Sequence, residues 1–380
     1  MEMKVKQSVL EASVKNLLKV ISAKPSLPIL NDILIVVNGE GASARLMASD
    51  NEAWVAYAIL LESASHTFSL CVNAKTLYEM IANVSDQVLT FTYDDSTMKL
   101  TMEYGTGSSY CMTDDPGTYP LPAISEEKVC TAVTDASTIN RVIRRSAFAT
   151  AHEDLRPALC GIDFEFSYDV MKVVATNGLQ MMACKSVLTG TNSESFSFIM
   201  PANVANMLPS MLTTGDEDVD ISYDGRNCCI VSGDAVIRFI CVDATYPNWE
   251  KIIPTEFAHE VKFNRKGLIN ALRCVCPFSQ GIHSLVKMEY SARSLAISAD
   301  NVDFGKGAEV SIGIDGYEGE PMAIGMNAVN LITILSKLPL DDVMLKFNSP
   351  DKAMVVEPVG ASDVLGELIT ALIMPMMLNS

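Results

Sequence analysis

The hydrophobic positions of the chain predict three blocks with the same order of elements. Each block begins with a short strand and an amphipathic helix, continues through several strands, and has a second helix before its last strands. The first helix shows the pattern most clearly, since Leu10, Val14 and Leu17 recur at helical spacing and Leu18 and Ile21 continue the stripe. The expected fold class is α+β, with three repeated domains, each with two helices on antiparallel sheets.

Capping signals support the helices of the second and third blocks. Asp135 or Ser137 is expected to cap the first helix of the second block, and Asn264 to cap its counterpart in the third. A proline is favoured in the first turn of a helix, so a further helix is expected to begin near Pro201 and to run to about Met211.

Two similar linkers separate the blocks. The triplets Thr118-Tyr119-Pro120 and Thr245-Tyr246-Pro247 lie 127 positions apart, a spacing typical of a domain of roughly 100–150 residues. Proline fixes its own φ and favours an extended conformation of the residue before it. The predicted domains are residues 1–127, 128–253 and 254–380.

The charge of the chain is strongly acidic, with a formal net value of −18. This total argues against binding nucleic acid unless the basic residues are gathered on one surface. The first helix of each block carries at least two basic residues on a face away from its apolar stripe. For one helix a solvated surface is the simpler interpretation. Three equivalent helices in an acidic chain instead favour a common role.

Cysteine and histidine positions predict neither a metal nor another cofactor. The ten cysteines include no C-x-x-C pair, and the four histidines form no ligand-spaced cluster. The first six residues lack the apolar region of a signal peptide, and no run of about 18 apolar residues occurs. A cytoplasmic protein with reduced thiols and no contact with the membrane is expected.

An enzyme is the first rival interpretation. His152, Asp154 and Cys160 come nearest to a base and a nucleophile, but Cys160 lies in a predicted strand, where a buried and unreactive thiol is commoner. The chain has neither a Walker A motif nor a dinucleotide-binding glycine motif. The sequence therefore predicts no catalytic activity. A repeated-domain scaffold that binds proteins but not DNA remains the alternative.

Five segments in order along the chain resemble the bacterial DNA sliding clamp, the β subunit of the replicative DNA polymerase III. They are residues 25–30 (PSLPIL), 151–156 (AHEDLR), 174–178 (VATNG), 246–254 (YPNWEKIIP) and 374–376 (MPM). The resemblance implies three clamp domains and a homodimer that closes head to tail into a ring around duplex DNA. It further implies a processivity factor for DNA replication, without catalytic residues, that binds short peptide motifs of polymerases, the clamp loader and repair proteins.

The basic residues expected to line the ring combine the resemblance with helix faces. Lys24 and Arg141 align with basic positions of the family, and the others are chosen by helix face. The DNA-binding candidates are Lys15, Lys24, Lys75, Arg141, Arg144, Arg145, Arg265, Lys266 and Arg273. The chain also departs from the family pattern, with Glu153, Gln180 and Met377 at positions where the family has glutamine or a basic residue. Weaker polar contacts with DNA and peptides are expected.

The resemblance also places a peptide pocket between the second and third domains. Its candidates are Leu159, Thr176, Gly178, Gln180, Met181, Pro247, Lys251, Ile252, Ala353, Leu372, Ile373, Met374, Pro375, Met376, Met377 and Leu378. Methionine and aliphatic side chains suit varied apolar ligands. For the dimer interface, Tyr110 and Met112 are expected to face Pro277 and Phe278 of the other chain.

Overall fold

The structure is a computed structural model. It describes residues 1–105, 107–122, 129–152, 155–188, 190, 194–212, 215, 217–279, 284–301, 304–315, 317–361 and 366–378. Glu153 and Asp154 lie outside the described residues. The chain forms two compact units, one of Met1–Asn140, Gly190–Glu194 and Asn206–Cys241, the other of Arg141–Thr189, Ser195–Ala205 and Val242–Ser380.

The predicted order of elements occurs three times in the described parts of the chain. Each block contains a strand, a helix, four strands, a second helix and three strands, and the first block adds the two-residue strand β5. The first block consists of β1 (Glu2–Lys6), α1 (Gln7–Leu17), β2 (Asp32–Asn38), β3 (Ser43–Ser49), β4 (Ala53–Leu60), β5 (Ser63–Ala64), β6 (Phe68–Asn73), α2 (Ala74–Ala82), β7 (Val88–Asp94), β8 (Lys99–Tyr104) and β9 (Gly107–Met112).

The second and third blocks repeat this order. The second consists of β10 (Cys130–Asp135), α3 (Ala136–Ser146), β11 (Gly161–Ser167), β12 (Val170–Thr176), β13 (Gln180–Val187), β14 (Phe196–Pro201), α4 (Ala202–Met207), β15 (Asp218–Tyr223), β16 (Asn227–Ser232) and β17 (Ala235–Ile240). The third consists of β18 (His259–Asn264), α5 (Arg265–Val275), β19 (Leu285–Tyr290), β20 (Ser294–Asn301), β21 (Lys306–Gly313), β22 (Met322–Asn327), α6 (Ala328–Lys337), β23 (Asp342–Phe347), β24 (Met354–Pro358) and β25 (Glu367–Ile373).

The sheets are antiparallel and join successive blocks edge to edge. In the first unit, one sheet has the order β5-β1-β7-β8-β9 and the other the order β10-β15-β16-β17-β4-β3-β2-β6. In the second unit the orders are β14-β11-β12-β13-β25-β24-β23-β18 and β21-β20-β19-β22. We call the pairing of β17 with β4 the first junction and the pairing of β25 with β13 the second junction.

Local signals explain the helix starts. The Asp135 carboxylate accepts a hydrogen bond from the Thr138 N–H at 2.7 Å, and the Asn264 side chain accepts one from the Gly267 N–H at 2.9 Å. Both residues satisfy N–H groups that the first helical turn leaves unpaired. The predicted caps are therefore confirmed, with Asp135 rather than Ser137 at the start of α3.

Three local predictions need correction. Helix α1 ends at Leu17, so Leu18 and Ile21 follow the helix instead of extending its stripe. Pro201 is the last residue of β14, and α4 that follows is only six residues long. Cys160 ends a short 3₁₀ turn (Pro157–Cys160) and is partly exposed, so it is not a buried strand residue.

Candidate functional site

The floor of the candidate peptide pocket is an apolar cluster on β12, β13 and β25 of the second unit. Val174, Met181 and Leu372 are buried and pack with the indole of Trp249. Met181 and Leu372 lie opposite each other across the second junction. Tyr246, Ile253, Ala353 and Met374 pack against this cluster and are partly buried. The structure thus brings together four of the predicted pocket residues: Met181, Ala353, Leu372 and Met374.

The turn from β12 to β13 shapes one side of the cluster. The Thr176 hydroxyl donates to the Gln180 carbonyl at 2.8 Å and accepts from the Gly178 N–H at 3.1 Å. Gly178 has φ +87°, a conformation that favours glycine. The Leu179 carbonyl in this turn accepts a hydrogen bond from the Met374 N–H at 2.8 Å. The turn therefore holds the start of the C-terminal tail beside the cluster.

The tail itself lines a separate open cavity. This cavity has a volume of about 550 Å³ and is lined by Ala323, Gly325, Pro350, Asp351, Pro375, Met376, Met377 and Leu378. The Met376 N–H donates to the Gly325 carbonyl at 2.8 Å. A Cβ atom at position 325 would collide with the Met376 carbonyl oxygen, so glycine allows this close approach. Met377 is 91% exposed and available for contact.

Other predicted pocket residues lie at the surface or deeper in the fold. Pro247, Lys251 and Ile252 are exposed. Leu159 is buried in the 3₁₀ turn before β11, and Ile373 is buried at the end of β25. None of these five residues is a member of the apolar cluster described above.

Several polar residues near this cluster were not predicted from the sequence. The Trp249 indole N–H donates to the Glu165 carboxylate at 3.0 Å, and the Lys172 ammonium donates to Glu250 at 2.6 Å. The bond to Glu250 raises the pKa of Lys172. Burial, aided by Glu165, raises the pKa of the Asp163 carboxyl from 3.8 to about 7. Trp249 and Glu165 are 84 positions apart, and Lys172 and Glu250 are 78 apart, so no local signal could have found these two contacts.

Six of the nine candidate DNA-binding residues are exposed: Lys15, Lys24, Lys75, Arg144, Lys266 and Arg273. Lys266 lies 3.1 Å from Asp341 in an exposed ion pair.

The prediction that Arg145 lies on an exposed face is wrong. Its side chain is 8% exposed and forms an ion pair with Glu367 at the start of β25. Arg141 is half-buried, and its Nε donates to the same carboxylate at 2.6 Å. Arg265 is also mostly buried, because its guanidinium donates to the carbonyl oxygens of Leu340 at 2.7 Å and Leu335 at 3.2 Å.

The interface candidates lie near the free edges of two sheets. Tyr110 and Met112 are on β9, the edge strand of its sheet, and are 66% and 61% exposed. The Lys99 ammonium lies 4.1 Å from the centre of the Tyr110 ring. Pro277 and Phe278 are in a 3₁₀ turn that follows α5, a helix that contacts the edge strand β21.

In the described ranges no group of three or more His, Cys, Asp or Glu side chains could hold a metal ion. None of the described helices is long and apolar enough to cross a membrane.

Three family models match consecutive parts of the chain. They are the N-terminal domain of the DNA polymerase III beta subunit over residues 1–115, the central domain over 133–248 and the C-terminal domain over 250–377. The chain belongs to the DNA polymerase III beta subunit family. The central domain of this family contributes strands to both compact units, since β10 lies in the first and β11 in the second.

Curated members of the DNA polymerase III beta subunit family are similar over most or all of their length. The beta sliding clamp of Synechococcus elongatus is 23% identical over 388 residues and covers 100% of both chains. That of Pseudomonas putida is 24% identical over 346 residues, covering 90% of this chain and 92% of the relative.

Solved structures of the family have the same fold. The DNA polymerase III subunit beta of Pseudomonas aeruginosa has a TM-score of 0.92 at 22% identity, with 100% of both chains covered. The sliding clamp of Bacillus subtilis has a TM-score of 0.90 at 21% identity, again with 100% of both chains covered. The predicted α+β fold of three repeated clamp domains is confirmed.

Proposed function

We propose that this protein is a DNA sliding clamp that encircles duplex DNA as a homodimeric ring and confers processivity on a replicative polymerase. The observation that carries the proposal is the pattern of sheet edges. The last strand of the second block pairs with the first block, and the last strand of the third pairs with the second. By the same rule β9, the last strand of the first block, would pair with β21 of a second copy and close a ring.

The internal repeat predicts the register of that pairing. Arg238 faces Trp54 across the first junction, and Leu372 faces Met181 across the second. Counting through the strand pairings from the start of the first helix, the position in β9 equivalent to Arg238 and Leu372 is Tyr110. Counting from the start of the second helix, the position in β21 equivalent to Trp54 and Met181 is Gly307. Both positions are exposed, whereas their neighbours Ser109 and Ala308 are both partly buried. A shift of one residue would set unlike faces opposite each other.

Helix-borne cations would then face the DNA. Lys15, Lys75, Arg144, Lys266 and Arg273 are exposed, while the chain as a whole carries −18. Cations on the inner surface would hold the phosphate backbone without reading bases, and the acidic exterior would repel DNA. Topological linkage makes tight binding unnecessary, so few cations are adequate. Arg145 and Arg265 are left out of this lining because their side chains are bound inside the fold.

The apolar cluster of the second unit and the methionine-rich tail would bind short peptide motifs of polymerases, the clamp loader and repair proteins. Met374 presents a flexible thioether beside Leu372, and Met376 presents another in the cavity of the tail. Such side chains suit several apolar anchors. Neither activity requires a catalytic group or a cofactor. We place the protein in the cytoplasm with the replication machinery.

The mass in solution tests the ring. The chain weighs 41.2 kDa, and light scattering is expected to give twice this value at micromolar concentration. A monomer over the whole concentration range would contradict the homodimer and with it the encirclement of DNA. It would leave a peptide-binding scaffold as the function.

A further inference from the structure

The first junction carries an apolar groove to which the proposed clamp activity assigns no role. A cavity of about 300 Å³ opens on the face of β3, β4 and β17, between the side chains of Met47, Trp54, Ala56 and Pro122. Arg45 and Arg238 flank it. A second cavity of about 400 Å³ shares Arg45 and Met47 and extends along β2 and β3. The groove therefore continues beyond a single side chain.

This groove corresponds, residue for residue, to the floor beneath Trp249 at the second junction. Trp54 lies opposite Arg238 at the first junction, and Met181 lies opposite Leu372 at the second. Next to these pairs, Met47 lies opposite Ala56 in the first case and Val174 lies opposite Ala183 in the second. At the second junction, Trp249 packs on Val174, Met181 and Ala183. At the first, the position equivalent to Trp249 after the Tyr-Pro pair is Pro122. The smaller proline side chain leaves the floor open.

The charged residues that flank the groove also differ between the two junctions. Arg45 is paired across the strands with Val36, as Lys172 is with Glu165. Lys172 lies 2.6 Å from Glu250 and 3.7 Å from Glu165. At the first junction Val36 replaces Glu165. In the sequence, Ala123 follows Pro122 where Glu250 follows Trp249, but Ala123 lies outside the described residues. Among the described residues, neither Arg45 nor Arg238 belongs to an ion pair.

We propose that this groove is a second peptide site, which takes a short segment with an aromatic residue followed by an acidic one. The chain's own Trp249-Glu250 segment is the template for this recognition. The aromatic ring would cover Met47, Trp54 and Ala56, burying apolar surface as Trp249 does. The carboxylate would pair with Arg45, as Glu250 pairs with Lys172. The site goes beyond the proposed clamp function, because it requires neither the ring nor DNA.

The probe that tests this site is a fluorescein-labelled peptide Tyr-Pro-Asn-Trp-Glu-Lys-Ile, copied from residues 246–252. Binding to the full chain is measured by fluorescence anisotropy at low salt. Pro122→Trp restores the indole lid of the second junction and is expected to weaken binding at least tenfold. Tyr168→Asp changes a 78% exposed turn residue that belongs to neither candidate site, so it is expected to leave binding of the probe unchanged.

The proposed ion pair between Arg45 and the carboxylate of the probe is tested by a separate pair of variants. Arg45→Glu is expected to weaken binding of the probe about tenfold. It should have a much smaller effect on a second probe in which glutamine replaces the glutamate. Comparing the two proteins with the two probes forms a double-mutant cycle, which isolates the contact between the carboxylate and the guanidinium. Lys352→Glu makes the same change in net charge at an exposed turn and should have no effect. If Arg45→Glu and Lys352→Glu weaken binding equally, the effect is non-specific and the proposed contact is wrong.

Folding of each variant is checked by its melting temperature. If Pro122→Trp does not fold, Leu121→Glu serves instead. Leu121 is 64% exposed and lines the groove, so a carboxylate there would engage Arg45 and repel the probe. Unchanged affinity in a folded groove variant, or no binding of the probe to the wild type at millimolar concentration, would overturn the proposal. Neither result bears on ring closure, which the solution mass tests separately.

Discussion

Arg145 and Glu367 form an ion pair that is almost completely removed from solvent, with side chains 8% and 2% exposed. The arginine lies in the last turn of α3, and the glutamate begins β25. Arg141 donates to the same carboxylate at 2.6 Å. The pair therefore ties the first helix of the second block to the last strand of the third.

Removing one partner is expected to cost more stability than the pair itself provides. Arg145→Met would leave the Glu367 carboxylate buried with only the half-buried Arg141 beside it, at an expected cost of about 3–5 kcal/mol in the free energy of unfolding. Arg144→Met is the matched control, because Arg144 is the adjacent residue and is exposed. Its effect should stay within about 0.5 kcal/mol in urea denaturation. Equal losses in both variants would contradict the buried pair.

Asp163 is expected to make stability depend on pH. The pKa of its carboxyl group is about 7 in the folded chain, whereas the ordinary value, which applies to the unfolded chain, is 3.8. Between these values the folded state keeps a proton that the unfolded state has released. The stability from this group is therefore fully present below about pH 4 and is lost as the pH rises through 7.

Asparagine at position 163 cannot ionise and removes this dependence. Asp163→Asn is expected to raise the melting temperature at pH 8 relative to the wild type, and not at pH 4.5. Each kcal/mol gained corresponds to about 2–4 °C. Asp169→Asn, at an exposed turn of the same hairpin, serves as the control in calorimetry. A gain of the same size at both pH values would refute the titration of Asp163.

The proposed register of the ring interface can be tested with paired cysteines. In a Cys111→Ser background, cysteines at Ser109 and Ala308 would lie opposite each other across two chains, at a Cβ separation of about 4.5–5.5 Å. Mild oxidation should therefore yield a covalent dimer on a denaturing gel. The pair at Ser109 and Val310 is offset by two residues, near or beyond the roughly 7 Å limit for a disulfide. Stronger cross-linking of the offset pair would disprove the register.

The candidate peptide pocket predicts a selective loss of binding. Met377→Asp places a charge on a 91% exposed side chain beside Met376 and Leu378. It should weaken binding of a peptide with an apolar anchor about tenfold without changing the melting temperature. Tyr168→Asp makes the same kind of change at a 78% exposed turn residue of the same unit and should bind normally. Normal peptide binding by Met377→Asp would show that the tail is not part of the pocket.

The repeated architecture could be predicted because each block contains its own local signals. Stripes such as Leu10, Val14 and Leu17 mark the helices, and Asp135 and Asn264 mark their starts. Strand β9 has only a weak local signal, because its sequence, GSSYCM, begins with glycine and two serines and none of its residues is buried. Its conformation depends on pairing with β8 at the edge of the sheet.

The parts that could not be predicted depend on partners distant in sequence. Arg145 is adjacent to the exposed Arg144 in the same helix, and the residue that pairs with it, Glu367, is 222 positions away. Trp249 and Glu165 are 84 positions apart. Helix periodicity indicates which residues share a face, but the packing of sheets from different blocks decides whether that face meets solvent.

Retention on DNA tests the central claim most directly. The wild-type protein is loaded by a clamp loader onto nicked circular DNA, and the circle is then cut once. Encirclement predicts that the protein stays on circles through gel filtration and leaves the linear DNA from its ends. Arg144→Glu should lower the amount retained on circles, whereas Lys352→Glu should not. Equal retention on circular and linear DNA would contradict the ring.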